Sequence, residues 1–481
     1  MKFSEYSRYD ATGLAELVRN NEVTPQELKD TAVEAIRELN PKLNAVNNVL
    51  AESGQEIEGS QEGPFAGVPF LIKEALLHAE NVPSNLGSRL AEGLVYSDDT
   101  ELMTRFKKAG LVTVGTTTTP EWAYNATTES IFYGPTRNPW NTDHSPGGSS
   151  GGAGAAVAAG IVPIAHANDG GGSIRIPASC NGLIGLKPTR GRTPTGPFGE
   201  LLSGIGVEFA VSRSVRDTAA LLDAVSGPDI GAYSFAPPPN RPFLEAVTEP
   251  PKRLRIAFME KPLTGVPVNQ ECINALRETA ALCQELGHEV VEASPQIDVE
   301  LHNLATLRIW TAHVAHMVNG VAKALNRVPS EENLETASFA CYQYGQAITA
   351  PQLLEATDIM AAVTRSVGRF FAEYDILLSP TTAQPPLPLG ELNQNALGIN
   401  AEQWTEQIFT YAPFTNLFNT TGQPAISLPL AWSSNGLPIG MQFGGRFADE
   451  STLINLASQL EQARPWKDKR PPALVNASSL N

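Results

Sequence analysis

Cysteine is scarce in this chain, and what little there is lies scattered. Cys180, Cys272, Cys283 and Cys341 are the only four, and no two form a CxxC pair. That excludes a disulfide framework or a paired-thiol metal site and predicts buried thiols in a reducing compartment. Basic residues are also few, 34 Lys and Arg against 51 Asp and Glu, leaving a formal charge of −17. Neutralising phosphates wants basic surface, so no nucleic-acid partner is expected. No run approaches the roughly 18 apolar residues of a membrane span. The most apolar region, 153–167, is built of small residues and interrupted by Pro163, and Met1–Tyr6 lacks the apolar core of a secretory signal. A cytoplasmic enzyme without a membrane partner is the expectation.

Histidine is sparse too. Of seven, only His313 and His316 stand three apart, and no third ligand accompanies them. They read as helix-face side chains, and neither metal nor cofactor is expected. What remains is a chain 42% hydrophobic and 18% charged, long enough to bury a large core.

The first 50 residues read as helical. Thr24-Pro25-Gln26-Glu27 is a capping box with proline at the first helical position, followed by Leu28, Ala32, Ala35 and Ile36 at helical spacing. Val68–Lys73 reads as a buried strand ending on a lysine, and Leu111–Val114 as another. Alternating helix and strand signals predict an α/β layered core. A Pro-rich stretch at 236–242 marks a linker or surface crossing, and 270–370 is mostly helical in pattern. Strands at 375–380, 425–429 and 439–443 precede a final helix at 450–463 and complete the sheet begun early in the chain. The expected division is one domain over 1–481. Its core spans 60–230 and 374–470, with a mostly helical region, 231–373, inserted beside it.

Three constellations carry chemistry. The string Gly147-Gly148-Ser149-Ser150-Gly151-Gly152 runs straight into a small-residue helix. Glycine pairs let the backbone turn tightly and approach a ligand; a flexible linker is the bland alternative. The string also fits G-x-S-x-G in two registers, but loop residues 141–146 precede it instead of the buried strand a nucleophile elbow needs. The second is Asp169-Gly170-Gly171-Gly172-Ser173, following a strand at 161–167. Successive backbone N–H groups of Gly170, Gly171 and Gly172 around one point suit an oxyanion, with Ser173 as attacker; a plain turn is the alternative. The third is Lys73. Most such lysines reach solvent or pair with a carboxylate, and Glu74 is adjacent. A lysine general base must be neutral, which takes roughly 4–5 kcal/mol of environmental bias from a pKa of about 10.4. A nucleophilic serine needs such a base.

Together these motifs resemble the amidase signature family, with 134–140, 185–189 and 419–427 also matching its pattern. The resemblance implies an α/β/α fold with a mixed central sheet covered by helices on both faces. It implies a triad of Lys73, bridging Ser149 behind a cis peptide, and nucleophile Ser173, with Gly170, Gly171 and Gly172 as oxyanion hole. Asp169 would order the glycine loop, Arg175 would brace the core, Tyr124 is a candidate pocket residue, and the variable helical region 231–373 would contribute to the substrate pocket of a catalytic core over 60–230 and 374–470. The implied reaction is hydrolysis of a carboxamide or linear amide through an acyl-enzyme. The alternatives are the glutaminase subunit of a tRNA-dependent amidotransferase, or a non-catalytic binding protein on the same scaffold. Gly170 stands where the family usually has Thr or Ile. The D-G-G-G-S-I-R-I-P form resembles the subgroup containing 6-aminohexanoate cyclic dimer hydrolases. The partner is a small amide, and oligomeric state stays open, a homodimer among the options.

Overall fold

The computed structural model describes residues 1–472; the remainder of the 1–481 span considered above, 473–481, lies outside the described residues. Its early strands are Val46–Val49 (β1), Pro69–Lys73 (β2), Val112–Thr117 (β3) and a short ribbon of Glu129–Ser130 (β4) and Gly134–Pro135 (β5). Then come Ile164–Asp169 (β6), Ile184–Lys187 (β7) and Val207–Ser212 (β8). The later ones are Arg255–Phe258 (β9), Glu289–Glu292 (β10), Ile376–Pro380 (β11), Ala425–Trp432 (β12) and Pro438–Gly445 (β13).

Eleven of these form one sheet in the order β1-β3-β2-β6-β8-β7-β12-β13-β11-β9-β10. It is mixed. β2 runs parallel to β3 and β6, whereas β8 runs antiparallel to β6 and β7. The late antiparallel pair β12–β13 joins the early strands through β7, closing the sheet as the chain order suggested. Strands β2, β6, β8 and β11 are buried along their whole length, because helices cover the sheet. Region 231–373 is mostly helical, yet it also supplies β9 and β10 at one edge of the sheet.

Local chemistry explains the framing elements. The Thr24 hydroxyl accepts from the Glu27 N–H at 3.2 Å while the Glu27 carboxylate accepts from the Thr24 N–H at 2.8 Å. That reciprocal cap starts helix Pro25–Leu43, which buries Leu28, Ala32, Ala35 and Ile36 and stops at Asn44 in the left-handed region. Helix Gly151–Ala158 is buried on every side. A β-carbon on Gly152 would lie 2.6 Å from the Ala45 carbonyl oxygen, so this close backbone approach requires glycine. All four cysteines are buried and unbonded to one another.

Candidate active site

Lys73 ends β2 beside β6, and its amine is fully buried. Its Nζ donates to Ser149 Oγ at 2.7 Å and to Asn168 Oδ1 at 2.6 Å. Burial pulls this amine down from about 10.5 to about 7, against the opposing charges of Glu208 and Asp169. A proton leaves it readily near neutrality.

The loop that presents Ser149 is clamped from below. A cis peptide joins Gly148 to Ser149, and Gly147 before it has φ +76°. The Thr128 hydroxyl donates to the Gly147 carbonyl at 2.9 Å and accepts from the Gly151 N–H at 3.2 Å. This loop is no flexible linker: residues 145–159 are all buried.

Ser173 follows the glycine turn at the end of β6. Asp169 organises that turn, accepting from the N–H groups of Gly172 at 2.7 Å and Ile174 at 3.2 Å. Arg175 donates to both Asp169 oxygens, and to the Thr415 carbonyl, Gln442 Oε1 and Asn419 Oδ1. Burial alone would raise the Asp169 pKa; the Arg175 charge and its hydrogen bonds outweigh it and hold the carboxyl at about 2. The permanent ion pair therefore fixes the loop's shape.

That pair corrects one expectation. The Gly172 N–H is committed to Asp169 and is not free to receive an oxyanion. No protein acceptor meets the N–H groups of Gly170, Gly171 or Ser173 among the described residues. Gly172 instead serves by its backbone: φ is +136°, and a β-carbon there would lie 2.6 Å from Thr415 Oγ1.

Ser149, Asn168, Gly170, Ser173, Trp122 and Trp310 line one cavity of about 30 Å³. Such a volume admits little more than water. Concavities of 650 and 750 Å³ lie elsewhere and touch none of these residues. No hydrogen bond links Ser173 to Ser149, and no histidine bonds either serine, among the described residues. His166 accepts from the Lys73 backbone N–H at 3.2 Å, and burial keeps its ring neutral. His313 hydrogen-bonds Ser203 at 2.9 Å.

Tyr124 is a second correction. It does not line the cavity; it stacks behind Trp310 with ring centroids 4.5 Å apart, its hydroxyl 2.6 Å from Thr405 Oγ1. Two participants escaped the sequence reading. Asn168, which holds the Lys73 amine and donates to the Ala75 carbonyl at 2.8 Å, adjoins Asp169 and was legible only as a polar residue on a buried strand. Glu208 lies opposite Asn168 in the β6–β8 register, a pairing that no spacing announces.

The amidase family model matches residues 27–454 of the chain. The chain belongs to the amidase family. It is thus an amide hydrolase, acting on C–N bonds. It is 37% identical over 478 residues to the 6-aminohexanoate-cyclic-dimer hydrolase of Pseudomonas sp. (strain NK87), covering 97% of each chain. It is 37% identical over 465 residues to the putative amidase AmiC of Mycobacterium leprae, covering 95% of each. A solved structure of a 6-aminohexanoate cyclic dimer hydrolase with substrate superposes with a TM-score of 0.91 at 35% identity, covering 97% of this chain and 99% of that one. A bacterial aryl acylamidase of the amidase signature enzymes superposes with a TM-score of 0.85 at 25% identity, over 96% and 99% of the two chains. The expected amidase-signature fold is therefore the observed one.

Proposed function

We propose that this amidase works through Lys73, Ser149 and Ser173 and an acyl-enzyme on Ser173. The observation that carries the reading is a fully buried lysine amine, titrating at about 7, 2.7 Å from the hydroxyl of Ser149 in the wall that also holds Ser173. Serine hydroxyls do not ionise near neutrality, so an attacking serine needs a neutral base.

The neutral amine of Lys73 takes the Ser149 proton, and Ser149 takes that of Ser173. The Ser173 oxygen forms a bond to the amide carbonyl carbon. The free N–H groups of Gly170, Gly171 and Ser173 stabilise the oxyanion, worth about 3–4 kcal/mol per donor in comparable sites. As the tetrahedral species collapses, the C–N bond breaks and the relayed proton returns to the leaving nitrogen. Water then attacks the ester by the same relay in reverse, giving carboxylate and free serine. Asn168 keeps the amine aimed at Ser149 throughout. No residue in this sequence of steps calls for a metal or cofactor.

The substrate is a carboxamide or linear amide of small to medium size. The resemblance to 6-aminohexanoate cyclic dimer hydrolases makes that dimer a probe to include beside simple carboxamides. The test is hydrolysis of this panel by wild type and Ser173→Ala, with a fluorophosphonate to label the nucleophile. Full activity in Ser173→Ala, or labelling at another serine, refutes the assignment.

A further inference from the structure

The cavity that holds Ser149 and Ser173 is too small for the reaction assigned to it. At about 30 Å³ it has no room for an amide with its substituents, so one of its walls must yield before a substrate reaches Ser173. The glycine turn that ends β6 shows which wall is thin. Two aromatic rings roof that turn side by side. A β-carbon on Gly170 would lie 2.8 Å from Trp310 Cζ2. One on Gly171 would lie 3.1 Å from both Cε1 and Cζ of Phe409, and 3.8 Å from the same Trp310 atom.

The two rings are held very differently. Trp310 is buried and stacked on Tyr124, whose hydroxyl is in turn bonded to Thr405. Phe409 is half-buried, and among the described residues no aromatic ring stacks on it. The tip of its ring rests on Gly171, and the same side chain borders a concavity of about 310 Å³. That concavity lies between helices Val299–Ala324 and Ala401–Tyr411. Leu307, one turn before Trp310, and Thr405, one turn before Phe409, both line it, so it follows the helix faces that carry the two rings. It has about twice the roughly 150 Å³ that encloses a benzene molecule, enough to receive a phenyl ring swung aside. The turn does not depend on the ring for its shape. Further along the same segment the Thr415 hydroxyl donates to the Gly171 carbonyl at 2.5 Å, anchoring it separately. Leu202 is the other side chain pressed on the turn, its Cδ1 2.7 Å from the Gly170 β-carbon position, but it is 7% exposed and lines only the inner side of these walls.

We infer that Phe409 is a specificity-determining residue: its ring is the partition between the 310 Å³ concavity and the glycine turn, and how far it swings aside sets the width of the amide substituent that reaches Ser173. The concavity then receives that substituent while the amide carbonyl sits on the turn. This deepens the amidase reading and rests on it.

The test reads labelling of Ser173 by two fluorophosphonates, one carrying only ethyl groups and one carrying a naphthyl group. The serine oxygen displaces fluoride once, so turnover does not enter. The ratio of the two second-order rate constants, bulky over small, reports access. Phe409→Ala should raise that ratio about tenfold and Phe409→Trp should lower it by about the same factor, the discrimination that a hydrophobic contact of this size supplies. Phe409→Leu, closer in volume, should raise it less, and it carries the test if the alanine variant does not fold. An unchanged ratio in these variants overturns the inference. So does a change of both rate constants by one common factor, which would mean that the ring only packs. A ratio that responds to Leu202→Ala and not to Phe409 would also overturn it, by moving the entry to the Leu202 wall. Wild type whose Ser173 takes neither probe would sink the catalytic assignment and this inference with it, whereas labelling at Ser173 with an unchanged ratio sinks the inference alone.

Discussion

Replacing Lys73 with methionine should remove a pH dependence of stability that the buried amine gives the wild type. The folded pKa is about 7 and the ordinary value 10.5. The folded chain therefore binds fewer protons than the unfolded chain between those two limits, and stability rises with pH across that window. The destabilisation is fully present below pH 7 and has vanished by about 10.5. At 1.36 kcal/mol per pH unit the whole gap is worth about 5 kcal/mol. Between pH 7 and 9 it amounts to about 2 kcal/mol, allowing for the half-protonated amine at the lower end. Methionine fills similar space without the charge, at the cost of leaving Asn168 Oδ1 without its 2.6 Å donor, about 1–3 kcal/mol at either pH. Urea denaturation of both proteins at pH 7 and 9 isolates the effect, because titrating groups remote from Lys73 cancel in the double difference. The wild type should gain about 2 kcal/mol relative to Lys73→Met on going from pH 7 to 9. A difference between the two proteins that does not change with pH would refute a neutral, buried Lys73 and with it the proposed base.

Wild-type kcat/KM should climb as pH rises through about 7, because only the neutral amine accepts a proton. Glu208→Gln removes a negative charge that favours the ammonium form, so the acid limb of that pH profile should move to lower pH. Asn168→Ala should lower kcat about 10- to 100-fold while leaving KM nearly unchanged, since Asn168 aims the base and does not bind the amide. Gly170→Ala would put a β-carbon 2.7 Å from Leu202 Cδ1 and 2.8 Å from Trp310 Cζ2; the overpacking should cost about 1–3 kcal/mol of stability by denaturant titration, together with activity.

The strands and helices were legible because burial imposes local patterns. An unbroken apolar run such as Phe70-Leu71-Ile72 is a strand covered on both faces, and Thr24-Pro25-Gln26-Glu27 starts a helix through contacts three residues apart. The glycine–serine strings likewise showed where backbone must turn sharply. Ser149 and Ser173 were singled out by type and by their place in those strings, and Lys73 by ending a buried apolar strand. Only the family resemblance joined them; spacing could not announce the contact of Lys73 with Ser149, for 76 residues separate the two along the chain. Tyr124 was misplaced because its aromatic character says nothing about which side of Trp310 it occupies. Gly172 was misassigned because the Asp169 carboxylate reaches its N–H through a turn whose shape Arg175, Thr415 and Asn419 jointly set.

Sequence by itself determined the local elements, the acidic surface and the residue types able to do acyl transfer, because those depend on neighbours a few positions away. The tertiary structure alone decided the protonation of Lys73, the pairing of Glu208 with Asn168, and which N–H groups stay free. Each of those depends on desolvation and on partners tens to hundreds of residues distant, brought together only when β2, β6 and β8 lie side by side.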